Sequence, residues 1–455
     1  MEEVIIRDAD EKPQDHPTSK KEQPDNAKPS EDGMEEVIIR DTDEKPQDHS
    51  ASKKEDLRIL KNVLVISFGF LFLFTAFQSL QNLQSSLNPD QGLGLASLSV
   101  VYAALTLSCI LVPPYMIGRL GCKWTLVISM FAYVLYTVAN YYARWGTMIP
   151  ASILLGASAA PFYHSLGDPL MVVVVFALGA SAAPLWASKC TYLSSSGIRL
   201  AEITGQAQEA IVTRFFGIFF LIFQSGQIWG NLISSLVLGQ KGPDIFREDA
   251  NEVCGVNFCG DPPKDPNMTV NVTDTLALPE YSLVITLLSI YVGCGVIAVL
   301  LIVVFLDRLT GDMSRKKESV TGVTLLVATL KHLKDRRMQL VLPITVFSGL
   351  EQAFIFGDFT KAFVTCSLGI HKVGFIMICF GVTDAAFSYI LGRLTQYTGR
   401  LAVFVSGLVV HLTVLIIMLA WTPDASLVWI FYVLAALQGY GDAVWQTQIN
   451  AIKNK

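Results

Sequence analysis

Asn62-Val-Leu-Val-Ile-Ser-Phe-Gly-Phe-Leu-Phe-Leu-Phe-Thr-Ala-Phe-Gln-Ser-Leu80 carries no ionisable side chain. A helix of about 20 such residues spans the ~30 Å hydrocarbon core of a bilayer. Runs of similar length recur as far as Gln448, about ten in all. They cover 62–83, 95–117, 124–142, one or two spans between 148 and 187, 213–237, 281–306, 339–357, 373–391, 401–420 and 426–446. With 52% hydrophobic and 16% charged residues, and a mean hydropathy of +0.46, the chain is far from a soluble domain. The expected fold class is all-α, a multi-pass membrane helical bundle. Function is therefore to be sought in helix packing, loops and buried polar groups.

The charge is concentrated in the first 61 residues and a few loops, so a net charge of −5 says little about partners. Membrane lipid surrounds such a chain, and nothing points to nucleic acid. Residues 1–61 are rich in Glu, Asp, Lys, Pro and Ser and are expected to be a disordered tail. Met1-Glu-Glu-Val-Ile-Ile-Arg-Asp8 returns there as Met34-Glu-Glu-Val-Ile-Ile-Arg-Asp41. Duplication without function and a doubled sorting signal are both open readings, and Met34 is also a candidate start. No cleavable signal peptide is expected in the tail, so the run from Asn62 is expected to serve as the insertion signal.

Topology follows from charge and glycosylation signals together. Lys45, Lys53, Lys54, Arg58 and Lys61 stand before the first span, and loop 84–94 has no Lys or Arg. The amino terminus is thus expected in the cytosol. The basic linker 307–338, with Arg315-Lys-Lys317, Lys331, Lys334, Arg336 and Arg337, is expected there too. Loop 238–280 carries the sequons Asn267-Met-Thr and Asn271-Val-Thr, acceptors used only on the lumenal or extracellular side. Cys254 and Cys259 sit in that same loop, where a local disulfide is expected if it faces an oxidising compartment. No His or second Cys pair accompanies them, so no metal site is expected. Cys109, Cys122, Cys190, Cys294, Cys366 and Cys379 read as small packing residues.

Parity constrains a second duplication. Leu155-Gly-Ala-Ser-Ala-Ala-Pro161 recurs as Leu178-Gly-Ala-Ser-Ala-Ala-Pro184. Two crossings here would put the sequons in the cytosol and the basic linker outside. One net crossing, with an insertion near 162–184, satisfies both signals.

Two loops repeat a pattern. Arg119-Leu-Gly-Cys-Lys123 follows the second span, and Gly392-Arg-Leu-Thr-Gln-Tyr-Thr-Gly-Arg400 follows the eighth. A first bundle of about six spans (62–306), a basic linker and a second bundle of about four (339–455) form the layout of the major facilitator fold. The second half is expected to be truncated.

Ionisable groups within spans are costly and invite a functional reading. Glu351, Asp384 and Asp442 qualify, Asp384 lying deepest and the other two nearer span ends. Each is either a proton- or cation-coupling group or a carboxylate paired within the bundle or facing water. Gln78, Gln81, Gln224, Gln227 and Asn231 read as helix stitches, worth ~0.6 kcal/mol each. His164, His332, His371 and His411 show no metal-ligand spacing or nucleophile–base pairing, and no Walker-type loop is present. The chain reads as non-enzymatic and without a cofactor.

Five stretches carry a family resemblance: Asn62 to Leu71, Arg119 to Lys123, Ala183-Pro-Leu-Trp-Ala-Ser-Lys-Cys-Thr-Tyr-Leu193, Phe216 to Ser225 with Trp229 to Ser235, and Asp442-Ala-Val-Trp-Gln-Thr-Gln448. Together they resemble the Unc-ninety-three family over roughly 58–455. The resemblance implies a major-facilitator-like fold from which the last two spans are missing here. It also implies a regulatory subunit of a potassium channel at the plasma membrane, or a trafficking chaperone for endosomal receptors, with endosomal or ER membranes as other locations. The wider superfamily places Gly-x-Leu-x-Asp-Arg-x-Gly-Arg-Arg after the second helix of a half, where the acid and base latch the two halves. Gly392, Leu394, Gly399 and Arg400 keep that pattern, but Gln396 and Tyr397 replace the charged pair. Arg119, Gly121 and Lys123 match in the first half, while Gly118 stands where the acid belongs. The latch is weakened, and a secondary transporter of a small solute becomes the competing reading.

Overall fold

The computed structural model describes residues 49–108, 112–156, 182–239, 254–258, 279–309, 331 and 336–453. The tail duplication, most of the insertion, Cys259, Asn267, Asn271 and nearly all of the basic linker lie outside those residues. Among the described residues every regular element is helical. The first bundle comprises α1 (His49–Leu87), α2 (Leu93–Ser108), α3 (Val112–Ala139), α4 (Trp145–Gly156), α5 (Ala182–Thr204), α6 (Gln208–Leu238) and α7 (Tyr281–Phe305). The second comprises α8 (Arg336–Ala353), α9 (Ile370–Thr398), α10 (Arg400–Ala420) and α11 (Val428–Lys453).

The helices agree with the hydropathy runs, and the exceptions have physical causes. The helix of α1 begins ahead of Asn62 because its polar first turns are held by ion pairs. Arg199 pairs with Glu55, while Arg58 Nε and Lys61 Nζ reach Asp307 Oδ2 at 2.8 and 2.9 Å. The run 95–117 is divided between α2 and the start of α3. The first turn of α3 holds Pro113 and Pro114, a position where a missing N–H costs little. Beyond Ala353, α8 continues as a π-helical stretch, Phe354–Thr365, and a final turn, Cys366–Leu368. Asp358 and Lys361 break the apolar run there, which is why hydropathy predicts a span ending at 357. In the folded chain Asp358 is exposed and Lys361 lies against the Phe258 ring.

The two similar loops share a backbone device. Gly121 (φ 73°, ψ 165°) divides α3 into the end of one helix and the start of the next, and Gly399 (φ 80°, ψ 158°) stands between α9 and α10. Both conformations are open to glycine and strained for side chains with a Cβ. The repeat seen in sequence is thus a repeat of turn geometry.

The first bundle packs around aromatic rings. Phe70, Phe74, Phe77, Tyr133, Trp186, Phe219 and Phe223 interlock mainly edge to face. Centroid separations are, for example, 4.8 Å for Phe77–Tyr133 and 5.0 Å for Phe74–Phe223. α1 and α6 touch at backbone distance. A Cβ on Gly230 would lie 2.1 Å from the Thr75 carbonyl oxygen.

The two bundles meet along a seam formed by α1 with the π-helical stretch and α6 with α9. Ser85 Oγ donates to Gly357 O at 3.0 Å, Ser86 Oγ and Thr365 Oγ1 lie 2.9 Å apart, and Ser235 Oγ donates to His371 O at 2.9 Å. All three lie toward the end of the molecule where α1 and α6 finish. At the same end Cys254 is disulfide-bonded to Cys366. This corrects two expectations, since a sulfur makes one such bond. Cys254 is not joined to Cys259, and Cys366 is not a free packing residue. The loop of the first bundle is instead tied covalently to α8's continuation, and Gly255 packs against Pro423 and Phe363.

Candidate functional site

Glycines of α11 bring three helices together around the buried carboxylates. A Cβ on Gly439 would lie 2.4 Å from Phe380 O of α9, and one on Gly441 would lie 2.1 Å from the His411 ring of α10. Gln438, Asp442, Trp445 and Gln446 follow at helical spacing, so one face of α11 carries all four. From α8 come Glu351 and Gln352, from α9 Asp384 and Ser388.

Asp384, Asp442 and Glu351 are 4%, 2% and 7% exposed, so of the readings left open by the sequence the water-facing one does not hold for them. Glycine-mediated approach of α11 shuts them in. Asp442 accepts on both oxygens, from Gln352 Nε2 at 3.1 Å and Gln446 Nε2 at 2.7 Å. Asp384 also accepts on both, from Ser388 Oγ at 3.3 Å and, across the seam, from Gln224 Nε2 at 2.9 Å. Glu351 differs. Its Oε1 stands 3.0 Å from His411 Nε2, yet without hydrogen-bond alignment, and neither of its oxygens has another partner among the described residues. Trp445 Nε1 donates to His411 Nδ1 at 3.0 Å, and Phe347 packs edge-on against both rings. Among the described residues no Lys or Arg pairs with these acids, and no group of three His, Cys, Asp or Glu is arranged for a metal ion.

Sequence reasoning missed His411 because it sought spacing between histidines. The usable signal was a titratable ring inside an apolar span, the rule already applied to the acids. Lys189 was missed likewise. It is 2% exposed in α5, its Nζ 4.5 to 5.3 Å from the ring centroids of Trp186, Phe216, Phe219 and Phe220.

Of the amides read as stitches, Gln224 reaches across the seam to Asp384 and the others lie within the first bundle. Asn82 Nδ2 donates to Asn231 Oδ1 at 2.9 Å, and Asn231 Nδ2 donates to Gln227 Oε1 at 2.9 Å. Gln81 reaches Tyr102, whereas Gln78 Oε1 is buried without a partner among the described residues. Of the loop motif, Lys123 Nζ donates to Val303 O at 2.8 Å in the last turn of α7, where a cation also suits the helix dipole. Arg119 and Leu394 are exposed, Arg400 is half-buried, and Gly392 lies in the last turns of α9. Tyr397, in the place of the latch's base, is 86% exposed. The motif residues thus lie apart from the carboxylate cluster.

The family described as "Ion channel regulatory protein UNC-93" matches residues 88–175 and 170–455, the break falling inside the duplicated stretch. Protein unc-93 homolog A of Xenopus laevis is 46% identical over 86% of this chain and 80% of its own length. The putative potassium channel regulatory protein unc-93 of Caenorhabditis elegans is 38% identical over 86% of this chain, which spans 52% of that longer protein. Among solved structures, a mutant of the nucleoside transporter NupG superimposes with a TM-score of 0.51 at 13% identity, covering 86% of this chain and 81% of that one. That likeness concerns the fold alone, and the fold is of the major facilitator kind. By sequence, the chain belongs to the UNC-93 family of ion channel regulatory proteins.

Proposed function

We propose that this chain is a regulatory subunit of a potassium channel, acting through lateral helix packing that favours one channel state or its delivery to the plasma membrane. The observation that carries the reading is its 38% identity to a protein named as a putative potassium channel regulator. The seam supports it. A disulfide and three hydrogen bonds join the bundles at one end. The charged latch of the superfamily is degenerate, which suits a scaffold better than a rocking transporter. Co-expression with a two-pore-domain potassium channel tests the idea. Altered current together with co-purification is expected, and unchanged current with no co-purification would remove it.

The orientation belongs to the same proposal: amino terminus in the cytosol, loop 238–280 outside and glycosylated at Asn267 and Asn271. The Cys254–Cys366 bond supports it, because disulfides persist in oxidising compartments and this one holds the sequon loop. α4 and α5 both pack along α3 with little mutual contact, which supports their forming one crossing. Mapping glycans at the two asparagines decides the side. Bare sites in a secretory-pathway cell would reverse the orientation.

One observation favours transport as a second reading. Asp384 is held by Gln224 from the other bundle, and transporters keep their sites at the interface between repeats. A flux assay with Asp384→Asn separates the readings, since a coupling carboxylate is needed for pH-driven flux.

A further inference from the structure

We infer that Glu351 is an intramembrane proton-binding site, with its proton on Oε2, the oxygen not set against His411 Nε2, and its occupancy controlling how α8 packs on α10 and α11. Trp445 sets the tautomer of that ring. An indole N–H only donates, so the His411 Nδ1 that it meets at 3.0 Å carries no proton. The single proton of the neutral ring is on Nε2, facing Glu351 Oε1 at 3.0 Å. An imidazolium would set two N–H groups against each other, so His411 stays neutral while Trp445 is in place.

His411 therefore supplies no positive charge to the site. The charged or titratable groups from the surrounding helices are Glu351 of α8, Asp384 of α9, His411 of α10 and Asp442 of α11. From the other bundle α6 brings the uncharged Gln224. Asp442 and Asp384 each have donors on both oxygens, the pattern of an acceptor-only carboxylate. Glu351 has an aligned donor on neither, and its side chain is 4% exposed. An ionised Glu351 would be a further anion beside Asp442, in hydrocarbon surroundings without a paired cation among the described residues. A proton on Glu351 removes that charge. Its loss sets two carboxylates against each other across the contact between α8 and α11, and it frees His411 to leave Trp445. None of this depends on whether the chain regulates a channel.

Infrared difference spectroscopy on the purified full chain in nanodiscs tests the proposal directly. A protonated-carboxyl C=O band is expected at neutral pH. Glu351→Gln should abolish it, while Asp442→Asn and Asp384→Asn leave it. Raising the pH should shift tryptophan emission in the wild type, and that shift should be lost in Glu351→Gln and in Trp445→Phe. No such band in the wild type, or a band that survives in Glu351→Gln, overturns the assignment. So does a Glu351→Gln chain that fails to fold, because the amide is the nearest neutral mimic of the protonated acid.

Discussion

The two bundles bury polarity in opposite ways. In the first, the buried polarity is mostly neutral, an amide chain from Asn82 through Asn231 to Gln227 beside an aromatic core, and the buried ammonium of Lys189 is enclosed by ring faces. In the second, three carboxylates and an imidazole share one small region of α8, α9, α10 and α11. Quadrupoles stabilise a cation without a counter-ion, whereas aromatic faces repel an anion, so acids need N–H donors or protons instead. The first bundle is built for fixed packing and the second for a variable proton inventory. The seam between them joins a half whose buried charge is a cation to one whose buried ionisable groups are acids and an imidazole.

The largest test removes what ties the halves together. Cys254→Ser or Cys366→Ser opens a bond between residues 112 apart in sequence. The chain-entropy model assigns about 5 kcal/mol to a closure of that length. Both single variants and the double variant should lower the thermal midpoint of the purified protein equally, by several degrees. A larger loss in the double variant would mean that each cysteine has another partner.

Next comes the acid whose donors are filled. Asp442→Ala strands the amides of Gln352 and Gln446 and leaves a cavity, at a cost of about 3 kcal/mol. Glu351→Gln removes a charge that the proton has already cancelled and should cost under about 1 kcal/mol. Folded yield by size-exclusion chromatography ranks the two. Equal losses would show that Glu351 is held as an anion like its neighbour.

The first bundle should respond differently to losing its charge. Lys189→Met keeps the length and apolar body of the side chain, and replacing a buried charge by a matched apolar group is often neutral. Stability should stay within about 1 kcal/mol of wild type, the lost cation–π attraction being offset by the removed desolvation cost. A thermal melt of the variant checks this, and a collapse of folding would reveal an anionic partner for Lys189.

Legibility in the sequence followed the same division. Hydrocarbon thickness sets a length scale that single residues cannot disguise, so α1, α6, α7, α9, α10 and α11 were readable from apolar runs alone. The glycine turns at Gly121 and Gly399 were visible as a loop repeat because positive φ restricts residue choice. The partner of Cys254 was not visible. Pairing depends on which loop ends meet in space, and spacing along the chain favoured the nearer Cys259. The acids were found by type, but their burial depended on Gly439 and Gly441, which read as ordinary small residues until the helices they join are known.

The smallest expected effect lies where α1 and α7 meet outside the membrane-spanning segments. The Arg58 guanidinium, then Lys61 and Asn62, hold the Asp307 carboxyl down at about 2. A carboxylate depressed in the folded state stabilises it fully above the unfolded value near ~4, and that contribution disappears as pH falls through the folded one. The window is therefore about pH 4 to 2, with no change above it. Arg58 and Lys61 are 55% and 44% exposed, so solvent and salt screen the pairs to under about 1 kcal/mol. Asp307→Asn should lower the thermal midpoint slightly at neutral pH and flatten its decline in acid. High salt should shrink the gap between the two proteins. A loss as large as that of Asp442→Ala would mean that this surface cluster, rather than the buried one, governs the assembly of α1, α5 and α7, which it links through the side chains of Arg58 and Lys61 and through the Tyr192 hydroxyl that donates to Asp307 O at 2.9 Å.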